Sequence, residues 1–211
     1  MNRLLKQLCG AAVVLAGIVH MPASAATITN AFGFTGPEIF PVDQQISQLR
    51  VADLDGDGLN DIIVANNLRS KINLLYNMTG KTNRADATPP RKLEVNELPP
   101  GSRFRIDSVP TDERIAALFV EDMNGDKRPD LIYFGDGKDL IVRYNQGTNG
   151  WSDPKRWHLD DGMLSPNALV VGDLNGDGLP DVVVLGDSGK AYFLAQQKDH
   201  TLAEPEKIAY S

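Results

Sequence analysis

The sequence predicts an all-β fold assembled from repeated four-stranded antiparallel units, and three observations predict it. "AALFVEDMNGDKRPDLIYFGDG" lies without a gap over "NALVVGDLNGDGLPDVVVLGDS" at an offset of 51 residues. Further along, "WSDPKRW" lies over "LAEPEKI" at the same offset. An acidic nonapeptide also occurs three times, as "DLDGDGLND" (Asp53 to Asp61), "DMNGDKRPD" (Asp122 to Asp130) and "DLNGDGLPD" (Asp173 to Asp181). Self-similarity of this length marks a repeat architecture before any single element is assigned.

Taken in chain order, the first element is an address. Arg3 and Lys6 give a positive start, Leu8 to Val19 form an apolar run, and "MPASA" supplies a small-residue cleavage pattern, so a secretory signal peptide over 1–25 is expected. The apolar run is about 12 residues, short of the roughly 20 that span a bilayer. A secreted or periplasmic product with no membrane span follows. Cys9 is the only cysteine, so the exported chain forms no disulfide. The net charge of −7 becomes about −9 once Arg3 and Lys6 are removed, which argues against nucleic acid and anionic membranes, since both reward positive charge.

An outer strand over 32–42 comes next, marked by Phe34 three positions before Pro37. The same signature recurs at Trp151/Pro154 and Leu202/Pro205, with a weaker copy in "TPPRKL" around Pro90. Three repeats follow, at approximately 43–97, 112–160 and 163–211. The third is the clearest, with strands over Ala168 to Gly172, Asp181 to Leu185, Ala191 to Ala195 and Pro205 to Tyr210. Val, Ile, Leu and Tyr dominate these runs, and Gly, Asp and Asn separate them, as a β-meander requires. The first repeat is longer, because Asp53 and Asp122 are 69 residues apart. Its extra length falls in "KTNRADATPP" and "LPPGSRFRIDSVPTDER", both Pro-rich and read as loops. No segment after the leader keeps a helical period.

Meandering four-stranded units of this size predict a β-propeller, in which an N-terminal strand commonly completes the last blade. Three blades fall below the usual minimum of about four, and the strand over 32–42 has no partner blade. The expectation is therefore a segment, 26–211, of a larger ring, with further blades or another domain beyond residue 211.

The acidic loops carry the chemistry. Hard divalent ions such as calcium take roughly six to eight oxygen ligands. Positions 1, 3 and 5 are Asp53, Asp55 and Asp57 in the first loop, Asp122, Asn124 and Asp126 in the second, and Asp173, Asn175 and Asp177 in the third. Position 9 is Asp61, Asp130 or Asp181, and the backbone carbonyl at position 7 (Leu59, Arg128, Leu179) is the natural additional oxygen. Gly56, Gly125 and Gly176 at position 4 let the backbone coil tightly enough for these oxygens to converge. No His or Cys occurs in the loops, which disfavours zinc and copper. An EF-hand needs a Glu at position 12 between two helices, whereas position 12 here is Val64, Tyr133 or Val184 inside a strand. The alternative, bare Asp-Gly turns, leaves carboxylates repelling by about 1 kcal/mol per pair even in water. Calcium, one ion per loop and about three per chain, would clip the first two strands of each unit and couple metal to folding.

At these residues the chain resembles the FG-GAP/VCBS repeat family of integrin-α-type calcium-binding propellers, whose loops follow D-x-[DN]-x-[DN]-G-x-x-D. The first and third loops match fully, and the second has Lys127 where Gly is expected at position 6. "FG" itself stands at Phe134-Gly135, with Leu185-Gly186 as its counterpart. The resemblance implies a ring of about seven blades with calcium in the loop between the first two strands of a blade.

No catalytic constellation stands out. His158 lies near Asp160 and Asp161, which could orient it as a base, but a lone His at a strand end is more often an exposed or packed residue. Trp151, Trp157, Tyr133 and Tyr144 could form a sugar platform or, more simply, pack between blades. "NMT" at Asn77 to Thr79 matches a glycosylation acceptor. The reading is a non-enzymatic extracellular module for adhesion or scaffolding, with a protein or glycan ligand. The alternative is the propeller portion of a secreted polysaccharide-degrading lyase or hydrolase.

Overall fold

Twelve strands, twelve short apolar runs, account for nearly all regular structure in the computed structural model, which describes residues 40, 42–81, 98, 101–187 and 189–209. The expected signal peptide over 1–25 and nearly all of the expected strand over 32–42 lie outside the described residues, as does "TPPRKL". A single 3-10 turn, Gly147–Asn149, is the helical content among the described residues.

The strands form three four-stranded antiparallel sheets, each in sequential order. The first holds β1 (Ile46–Ala52), β2 (Asp61–Asn66), β3 (Lys71–Asn77) and β4 (Phe104–Pro110). The second holds β5 (Ile115–Glu121), β6 (Asp130–Gly135), β7 (Asp139–Arg143) and β8 (Lys155–His158). The third holds β9 (Leu169–Gly172), β10 (Asp181–Leu185), β11 (Lys190–Leu194) and β12 (Glu206–Ala209). The third sheet follows its sequence expectation to within a residue or two at each strand.

One sequence reading is corrected. The fourth strand of the first sheet is β4, which pairs with β3 along its whole length, Lys71 with Pro110 through Asn77 with Phe104. The sequence reads this stretch as loop because Pro99, Pro100 and Pro110 bracket it. Pro110, however, stands at the end of an outer strand, where a missing N–H removes no interior ladder bond. Between the prolines, Phe104 and Ile106 alternate with Arg105 and Asp107, as a half-covered outer strand requires.

Apolar residues on both faces of the central strands bury successive sheets against one another. One cluster joins Leu54, Ile63, Ile72 and Leu74 of the first repeat to Leu118, Leu131, Tyr133 and Ile141 of the second. The other joins Met123, Ile132, Phe134 and Leu140 of the second to Leu169, Val182, Val184 and Tyr192 of the third. The first strands are neighbours as well, β1 with β5 and β5 with β9. Every residue of β6 is buried, which is why it reads as a continuous apolar run rather than an alternating one.

Candidate metal centres

Each acidic loop joins the first two strands of its sheet, between the register pairs Ala52/Asp61, Glu121/Asp130 and Gly172/Asp181. The loop therefore ends at position 9 inside a β-hairpin, with no flanking helix.

Its coil is held by its own carboxylates. Asp53 Oδ1 accepts the N–H groups of Gly56 at 2.8 Å and Asp57 at 3.1 Å, and its Oδ2 accepts that of Gly58 at 2.8 Å. Asp122 does the same for Gly125, Asp126 and Lys127 at 2.8, 3.2 and 2.7 Å. Asp173 holds Gly176 at 2.7 Å and Gly178 at 3.0 Å. Position 5 then accepts the N–H of position 7: Leu59 to Asp57 at 2.7 Å, Arg128 to Asp126 at 2.9 Å and Leu179 to Asp177 at 2.9 Å. This winding needs left-handed backbone at position 6, where φ is 83° at Gly58, 67° at Lys127 and 86° at Gly178. Lys127 thus adopts the conformation that glycine adopts in the other loops, and the second loop is wound as tightly as they are.

The aspartate at position 9 is fully buried in all three loops and buckles the loop to the sheet. Asp61 Oδ2 accepts Leu54 N at 2.9 Å, and Oδ1 accepts Asn77 N, at the end of β3, at 2.7 Å. Asp130 accepts Met123 N at 2.9 Å and Asn145 N at 2.7 Å. Asp181 accepts Leu174 N at 3.1 Å and Gln196 N at 2.9 Å. Burial pushes Asp130 up to about 7 despite these donors, and the charges of Asp126 and Asp122 push the same way. Burial raises Asp61 too, with Asp55 and Asp57 adding repulsion. An added cation would relieve both effects.

In the first loop, Asp53, Asp55 and Asp61 each offer one oxygen, all within 4.8 Å of one another. In the second and third, Asn replaces the middle carboxylate, and Asn124 and Asn175 accept Asp126 N at 3.0 Å and Asp177 N at 2.8 Å. The loops differ most in their own cations. Lys81 pairs with Asp57 and approaches Asp55 at 3.5 Å. Arg128 pairs with Asp126 while its Nε donates to Asn145 O at 2.9 Å, which ties the guanidinium at both ends. Among the described residues no ion pair reaches the third loop. Sequence reasoning valued Arg128 for its carbonyl and missed its side chain; Lys81, inside a stretch read as loop, it missed altogether.

Residues 122–184 match the family model of the FG-GAP-like repeat. No curated protein matches the chain. The matched stretch runs from the first residue of the second acidic loop, through the second sheet and the third loop, into β10. The first loop lies outside that match, but its bonds at positions 1, 5 and 9 reproduce those of the second and third loops.

The other candidate residues are placed as follows. His158 is exposed at the end of β8, with Nδ1 2.7 Å from Asp139 and Nε2 3.3 Å from Asp160. Asp161 instead pairs with the Tyr192 hydroxyl and Lys207. Tyr133 is buried in the core between the first two sheets, against which Trp151 also packs, and Tyr144 and Trp157 pack against the core between the second and third. The four rings thus pack against two separate cores rather than forming one platform.

Proposed function

We propose that this chain is a calcium-binding propeller-type repeat module, exported and without catalytic activity of its own, that presents its surface to an extracellular protein or glycan. The observation that carries the metal is the threefold recurrence of one loop in which short acidic side chains gather at a β-hairpin, three of them within 4.8 Å in the first copy. Asp53, Asp55, Asp57 and Asp61 would hold an ion in the first loop, with the Leu59 carbonyl. Asp173, Asn175, Asp177 and Asp181 would do so in the third, with the Leu179 carbonyl. An all-oxygen donor set of this charge suits a hard divalent cation.

The first loop already gathers its carboxylates around a cation, the Lys81 ammonium. Lys81 is partly exposed, and among the described residues the contacts of its ammonium are Asp55 and Asp57, with no second anchor of the kind that holds Arg128. The third loop has no such competitor among the described residues. The second, with Asp122, Asn124, Asp126, the Arg128 carbonyl and Asp130, is the poorest host, because Arg128 is anchored over Asp126. A bound ion neutralises carboxylates that the fold holds together, so its effect is structural. Four-stranded sheets packed face to face through their first strands support the propeller architecture, and a ring of about seven blades would extend the same packing.

Thermal unfolding in millimolar calcium and in excess chelator tests the reading. Ligand at 100 times its Kd adds about 2.7 kcal/mol, so the melting temperature should rise by several degrees in calcium and not in magnesium-free chelator. Identical melting in both would refute it.

A further inference from the structure

We propose that the cleft between the second and third sheets, at their acidic-loop end, is a binding site for a short neutral glycan. The assignment rests on the reading of this chain as an extracellular protein- or glycan-binding module and gives that reading a place, but it needs no ion in any loop. The cleft has a volume of about 560 Å³, within the roughly 300–1,000 Å³ of small-ligand sites. One wall is the end of β7, the Gly147–Asn149 turn and the start of β8, and the other is the turn between β11 and β12. His200, in that second turn, closes it. Its backbone is left-handed, with φ 63°, and its Cε1 lies 3.0 Å from the point that a Cβ on Gly125 would take. At the repeat offset of 51 the counterpart of His200 is Asn149. Nothing lies within 4 Å of the point that a Cβ on Gly56, the counterpart of Gly125, would take, so the first two repeats lack this closure. The His200 turn is also held in advance. Asp199 accepts Thr201 N at 3.1 Å and Thr201 Oγ1 at 2.7 Å, and Gln197 N donates to Thr201 O at 2.8 Å. A fixed wall lowers the ordering cost of binding.

The lining selects the ligand. Among the described residues no hydrogen bond reaches the Tyr144 hydroxyl, the side-chain amides of Gln146 and Asn149 or the His200 ring, and no ion pair reaches Lys155. The hydroxyl, the two amides and the neutral imidazole each both donate and accept, which suits a ligand bearing hydroxyls around its rim. The charges of the cleft balance, Arg128 and Lys155 against Asp126 and Asp199, and Arg128 is already paired with Asp126. An adjoining cleft that shares His200 is lined by Glu121, Asp122 and Asp173, so an anionic ligand meets further carboxylates at this end of the sheets. No aliphatic side chain lines the first cleft. That disfavours a protein partner, whose anchors are large side chains seated in well-packed, desolvated pockets. A neutral sugar is the class that remains.

Amide-resolved NMR of the full chain tests the site, with cellobiose, maltose, chitobiose and mannobiose each titrated to about 20 mM, enough to reach weak millimolar binding. The titrations are run in calcium and again in chelator. At least one disaccharide should give saturating shifts centred on Asn149, Lys155 and His200, and digalacturonate should give weaker ones. Asn149→Ala and Lys155→Ala, both at exposed positions outside the acidic loops, should each weaken binding by roughly three- to tenfold, the scale of one hydrogen bond, with unchanged thermal unfolding. Tyr144→Phe, which removes only the hydroxyl, should do the same. No shift with any of the four sugars overturns the proposal, as do shifts centred elsewhere or binding that none of the variants weakens. Tighter binding of digalacturonate overturns the assignment to a neutral ligand. The metal reading fails separately: melting unchanged by calcium would refute it and leave the sugar shifts standing, whereas calcium stabilisation without sugar shifts would do the reverse.

Discussion

Lys127 shows how a single residue can be tolerated against its preference. Its φ of 67° is left-handed, which costs a non-glycine residue roughly 1–2 kcal/mol. The strain persists because its N–H is one of the donors that Asp122 gathers, at 2.7 Å. Lys127→Gly should therefore stabilise the protein by about 1 kcal/mol in chemical denaturation, after some loss to the greater freedom of glycine in the unfolded chain. No gain, or a loss, would mean that the loop does not need this backbone. His158 offers a pH test remote from the loops. The Asp139 carboxylate bonded to Nδ1, with Asp160 near Nε2, raises its pKa above the usual 6.5. A raised histidine favours the folded state below its unfolded pKa, and that contribution fades as pH rises through the folded value. A proton NMR titration should show His158 above 6.5, and Asp139→Asn should bring it down. An unchanged value in the variant would remove Asp139 as the cause.

At the scale of the element, the acidic hairpin was legible in part. Spacing and glycine placement gave the loop its ends and its joining of two strands, because the position 9 aspartate begins β2, β6 and β10 in turn. What spacing does not show is that this aspartate faces inward and binds backbone on two sides, since its partners Asn77, Asn145 and Gln196 lie 15 or 16 residues away across a third strand. The recurrence of an amide side chain at Asn145 and Gln196, at the repeat offset of 51, was the available signal. β4 was missed for a different reason: flanking prolines outweighed a short alternating pattern whose only deeply buried residue is Val109. The buckle predicts unequal costs at Asp130. Asp130→Ala leaves two backbone N–H groups unpaired, each costing about 1–3 kcal/mol when buried, so a loss of about 3 kcal/mol is expected. Asp130→Asn keeps an acceptor and should lose roughly half as much. Equal losses by denaturant unfolding would show that charge, and not hydrogen bonding, is the role of this residue.

For the molecule as a whole, sequence self-similarity carried the architecture because each repeat buries an apolar face against its neighbour, so the same positions recur as apolar. The three sheets and their sequential order are those that the repeats predict. The cations of the loops were not legible, because Lys81 and Arg128 reach their carboxylates through side-chain conformations that no spacing encodes. They nevertheless set the expected stoichiometry. Calorimetric titration of the metal-free chain with calcium is the most direct test of the account. It should show two sites, in the first and third loops, ahead of a weaker third. Arg128→Ala should tighten the weak site roughly tenfold, the scale of one charge interaction near a protein surface. A folded chain that takes up no calcium would contradict the account, reducing the acidic loops to hairpin turns held by their own backbone hydrogen bonds.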